Sequence, residues 1–110
     1  MSYGSAWEKF HLAVLGLASS PQAPQERLAA AYRCHLMHAE RNLPPSTRDD
    51  FNNVSEALHR VEATGNEADV RASARALGEV KTRELIELIV SMYDRLAALY
   101  GPHVRPRGRS

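Results

Sequence analysis

The chain of 110 residues has a single cysteine, a single tryptophan, two phenylalanines and few aromatics in all, at 6%. One cysteine excludes an intramolecular disulfide framework and suits a reducing compartment. The longest apolar stretch, "LAVLGLA" from Leu12 to Ala18, is far shorter than the ~20 residues a bilayer-spanning helix needs. Glu8, beside that stretch, argues against a secretory leader, so a cytoplasmic protein that does not enter membranes is expected. There is no GxGxxG, P-loop, HExxH or CxxC motif. The acid pairs Asp49-Asp50 and Glu84/Glu87 read as a first-turn charge pair and a solvated helix face. These absences point to a non-enzymatic protein without cofactor.

Charge of one sign is also lacking. The formal net charge is +1, and the last ten residues carry Arg105, Arg107 and Arg109 with no acid, which leaves −2 on the first hundred. The body is therefore not a basic nucleic-acid binder by net charge. Residues 102–110 are expected to form a disordered basic tail behind a single domain over 1–101.

What is present is helical patterning. Hydrophobic residues make up 44% of the chain, charged residues 25%, and β-branched residues are sparse. A first helix is expected over Ser5–Ala18, with Trp7, Phe10, Val14 and Leu17 on one face. A second is expected over Pro24–Asn42, with Leu28, Tyr32, Leu36, Ala39 and Leu43 at spacings of about four and three. The pair Pro44-Pro45 ends it, and Ser46 with Asp49 suggests a capping box for a third helix over Thr47–Ala63. Gly65 suits a helix C-terminus, and Asn66 a cap for a short, shallowly packed fourth helix. The last helix, Glu79–Tyr100, carries Leu85, Ile89, Met92, Leu96 and Leu99 in heptad-like spacing, widened by Tyr93. The expected fold is a small all-α four-helix bundle, three helices long and one short, with up-and-down-like topology.

The segment "AAYRCHLMHAERNLPP" gathers Cys34, His35, His38 and Glu40. On a regular helix, at about 100° per residue, these four cannot converge on one ion. Cys34 and His38, at i and i+4, could share an ion, as could His35 and His38, at i and i+3, and Cys34/His38 is the metal or thiol candidate, but a structural zinc site needs further ligands and no second Cys/His cluster exists. No metal is expected. On the same wheel His35 falls in the apolar face of its helix, as His11 does in the first, so the two are expected either to find separate partners or to form a buried His11–His35 polar pair.

The remaining candidate is association. Leu85, Ile89, Met92, Tyr93, Leu96 and Leu99 would form either the core or a contact surface; they offer more apolar surface than a small bundle needs, and Met and Tyr suit interfaces. A protein partner or a second copy of the chain is the expected ligand, and a homodimer is one form of it. The alternative is a nucleic-acid accessory protein using Arg71, Arg75 and the tail arginines Arg105, Arg107 and Arg109, with nucleic acid the less expected partner.

The arrangement "WEKF…AVLGLA…QERLAAAY…HL…LPPSTRDDF" followed by "ELIVSMYDRLAALYG" resembles that of small, functionally uncharacterised all-helical proteins of bacteria, in outline over residues 6–100. The resemblance implies a compact helical fold and assigns no activity or site residue.

Overall fold

The computed structural model describes residues 3–101, apart from the side chain of Asn66. Every regular element among them is helical: α1 Tyr3–Ser19, α2 Pro24–Ala31, α3 Pro45–Leu58, α4 Asn66–Arg75 and α5 Glu79–Tyr100. α5 is the spine, packing along α1 on one side and α3 on the other; α2 sits against α1 and α4, and α4 also meets α3. One core runs through all of them, from Phe10 and Leu17 through Leu28, Tyr32, Phe51, Val54, Leu58 and Val70 to Ile89 and Met92. At ~25 cal/mol per Å² of apolar surface removed from water, such burial is the main driving force of the fold.

The expected four-helix bundle is instead five α-helices, one for each of the five segments that apolar spacing and breakers mark, and the second of them breaks early. After Ala31 the chain forms a π-helical turn, Tyr32–Leu36, then a 3₁₀ turn, Glu40–Asn42. The π turn is closed by the Met37 amide donating to the Tyr32 carbonyl at 2.8 Å. A straight α-helix would carry Leu43 some ~18 Å along its axis from Ala31. Breaking the helix turns the chain back, and Leu36, Ala39 and Leu43 all end fully buried. Leu43 is extended, at φ −94° and ψ 140°, as a residue before proline should be.

Helix ends also differ from expectation. The capping box does not form: α3 starts from an extended Pro44, and Thr47, not Ser46, bonds back, its Oγ1 donating to the Pro44 carbonyl at 3.0 Å. α3 stops at Leu58 because the next segment is claimed by α4. Ser73 Oγ accepts the Val61 amide at 2.8 Å, and Asp69 Oδ1 accepts the Ala63 amide at 2.5 Å. Gly65 does not close α3; it opens α4 at φ +148°, a conformation other residues rarely adopt. α4 is regular and deeply seated, with Val70, Ser73 and Ala74 buried.

Two arginines tie elements together. Arg27 of α2 donates through Nη1 to the Leu17 carbonyl at 3.0 Å, satisfying a free carbonyl in the last turn of α1. Arg95 of α5 pairs with Asp50 at 2.5 Å and donates to the Ser46 carbonyl at 3.2 Å, fixing the first turns of α3 against the spine.

Candidate functional site

The heptad-like row of α5 divides in two. Leu85, Ile89, Met92 and Leu96 are at most 1% exposed and belong to the core of the chain itself. Leu99 is 62% exposed, and Tyr93 is half-buried against α1. Besides Leu99, Val80 and Tyr100 toward the ends of α5, exposed apolar surface lies on the outer sides of α1 and α5. Leu12, Leu15 and Val90 are 49%, 51% and 43% exposed. Between the two helices runs a groove of about 540 Å³ whose apolar walls are Val14, Ile86, Val90 and Tyr93, with Glu87 and Asp94 at its rim. Leu15 stands about 100° further round α1 from Val14, and Leu12 about 60° beyond it, so apolar side chains continue from the groove over the outer face of α1.

Under that groove an aromatic ladder joins α1 to α5. Trp7 stacks on His11 at 5.0 Å between ring centres, and His11 Nδ1 lies 3.0 Å from the Tyr93 hydroxyl. His11 is thus satisfied by Tyr93 separately from His35, and the His11–His35 pair does not form. The reason is topology: α1 presents this face to α5, while His35 sits on the π turn facing another edge. Tyr3 and Tyr100 extend the ladder at 4.9 Å. Among the described residues, buried Trp7 Nε1 has no acceptor, and it is pressed against Gly101 so closely that a Cβ there would lie 2.9 Å from it.

His35 is half-buried in a second cavity, of about 310 Å³, which it shares with Lys9, Arg33, Cys34, Met37 and His38. Cys34 and His38 are both exposed and line that cavity together, but among the described residues no group of three or more His, Cys, Asp or Glu is placed to hold a metal ion. Arg71 is exposed, while Arg75 is paired with Glu26 at 3.0 Å. Arg105, Arg107 and Arg109 lie outside the described residues. A trough of about 670 Å³ between α3 and α5 is lined by Glu56, Glu84 and Glu87 together with Arg60 and Lys81, a mixed-charge surface in which Lys81 pairs with Glu84 at 3.7 Å.

The polar cluster that sequence reasoning missed is centred on Tyr32. Its hydroxyl donates to Ser55 Oγ at 3.0 Å and lies 3.1 Å from His59 Nε2, joining the π turn to the end of α3. Nothing in the spacing of these residues marks them, since Ser55 and His59 become neighbours of Tyr32 only when α3 folds back. Burial holds the Tyr32 hydroxyl above the ordinary tyrosine pKa; the hydrogen bond to Ser55 opposes this and the charge of Glu40 adds to it. The unfolded chain, with tyrosine near ~10, ionises first as pH rises. Tyr32 therefore contributes its full stability below about pH 10 and loses it as pH rises from there through the folded value. Alkaline melts of the wild type should fall more steeply above about pH 10 than those of Tyr32→Phe. Parallel curves would refute this.

No family model, curated protein or solved structure matches the chain. Among the described residues, no helix is long and apolar enough to cross a membrane.

Proposed function

We propose that the protein is a non-enzymatic helical association module that acts through the outer face of α1 and α5. The observation that carries this reading is the run of exposed apolar side chains, Leu12, Leu15 and Val90, beside the apolar groove of Val14, Ile86 and Tyr93. Contiguous apolar surface of this kind is characteristic of interaction sites. The first occupant proposed is a second copy of the chain. A two-fold contact uses the same patch on both partners, and here each copy carries both a protruding element, Leu15, and a groove to receive it. A different protein with an apolar helix face is the other occupant this surface suits.

Light scattering across a concentration series tests the reading. The wild type should approach the mass of a dimer, and Leu15→Glu combined with Val90→Glu should remain a monomer with unchanged helical circular dichroism. A wild type that stays monomeric at high concentration would remove the self-association reading.

A further inference from the structure

The irregular segment between α2 and α3 does more than turn the chain. It concentrates positive charge. The cavity of about 310 Å³ beside His35 adjoins another of about 350 Å³, and the two share Met37 and His38 as a common wall. The first is walled by Lys9 and Arg33, the second by Arg41 and Arg48. Among the described residues, the one acid in the two linings is Glu40, and Arg33 pairs with Glu67 at 3.6 Å. Lys9, Arg41 and Arg48 enter no ion pair among the described residues. Arg48 Nε donates to the Leu43 carbonyl at 3.3 Å, which holds its stem and leaves the terminal amino groups free to donate outward. This local excess sits on a body whose first hundred residues sum to −2, so it is a feature of the folded surface and not of composition.

We propose that this double cavity binds single-stranded nucleic acid, its cations holding successive phosphates and its shared wall receiving a base. Each cavity is at the lower end of the ~300–1,000 Å³ range of ligand sites, so one small anion would occupy one of them and leave the other cations unused. A chain of phosphates reaches both. Guanidinium groups suit phosphate oxygens because their N–H donors form a planar fork. His38 and Met37 stand between the two sets of cations and are the groups on which an unstacked base can lie, through imidazole stacking and thioether–ring contact. A duplex fits less well: its bases are already stacked, and the cations line an indented segment instead of a projecting helix. The site is separate from the arginines of α4 and the tail and from the α1/α5 groove, and it does not depend on association through that groove.

The test is fluorescence anisotropy of the full chain with a labelled oligothymidylate of about ten nucleotides, within the usual footprint of single-strand binding domains. Binding should weaken with salt at a log–log slope of about −2, as expected when three unpaired cations meet phosphates of a single strand. The exposed pair Arg41→Glu with Arg48→Glu should lower affinity at least tenfold and flatten that slope, with an unchanged thermal melt. Arg71→Glu should bind as the wild type does. Unchanged affinity in the Arg41/Arg48 variant would overturn the proposal. So would loss of binding on neutralising only Arg105, Arg107 and Arg109, equal affinity for a duplex of the same length, or equal affinity for polyglutamate.

Discussion

Ile89→Ala is expected to destabilise the protein by about 2–5 kcal/mol, whereas Leu99→Ala should change its stability by less than about 0.5 kcal/mol. Both residues belong to the same heptad-like row of α5, and the sequence pattern treats them alike. The packed chain does not. Ile89 is fully buried in α5, which packs on α1 and α3, and Leu99 is 62% exposed one residue from the helix end. Truncating Ile89 removes buried methyl and methylene groups and leaves a cavity that a close-packed interior closes only in part. A domain of this size holds only about 5–15 kcal/mol in total, so Ile89→Ala should lower the melting temperature by at least ~8 °C. Truncating Leu99 exposes nothing that was dry. Thermal melts of the two variants at low protein concentration decide the matter. Equal losses at both positions would mean that Leu99 is covered in solution, and the division of this row into core and surface would then be wrong.

Ser73→Ala should cost about 1–3 kcal/mol, although it removes a single oxygen. Ser73 is buried, and its hydroxyl both accepts the Val61 amide at 2.8 Å and donates to the Val61 carbonyl at 3.4 Å. Alanine would leave a backbone N–H without its partner, and an unmade bond to a buried group loses the full desolvation term. The consequence is also local. Residues 59–65 are held by Ser73 and, at Ala63, by Asp69, so the amide of Val61 should exchange with solvent much faster in the variant while amides in the middle of α5 slow or speed only with global stability. Urea unfolding gives the first number and amide hydrogen exchange the second. An unchanged midpoint together with unchanged exchange at Val61 would show that α4 does not hold this loop.

Both results bear on how legible the fold was. The long outer helices were readable because their signals are local: α1 and α5 carry sustained apolar faces, and glycine-proline or serine-proline breakers bound them. The middle of the chain was not. A helical wheel assumes one turn geometry, and the π turn at Tyr32–Leu36 changes it within the segment under test. The wheel spread Cys34, His35, His38 and Glu40 around one helix, whereas the folded chain sets Cys34, His35 and His38 along one cavity and His38 with Glu40 along the next. The wheel also suggested a partnership of His11 with His35 that the packing of α1 against α5 replaces with Tyr93. The capping box at Ser46 and Asp49 was a sound local pattern that does not form, because two successive prolines start α3 two residues earlier, with Pro44 as the extended cap and Pro45 as the first helical residue.

Local patterning alone therefore determined that this chain is all-helical and which faces of its helices are apolar, and it left open whether the α5 row is core or contact surface. Apolar spacing and helix breakers act over a few residues, and no distant contact is needed to read them. Tertiary structure decided the rest. The Tyr32–Ser55–His59 cluster, the Ser73 clasp on Val61, the exposed apolar face of α1 and the cationic double cavity around His38 each join residues from separate helices or turns. Such sites depend on where the second helix breaks and how α3 and α4 return to it. That choice is made by burying Leu36, Ala39 and Leu43 together, a global packing requirement that no short window of sequence records.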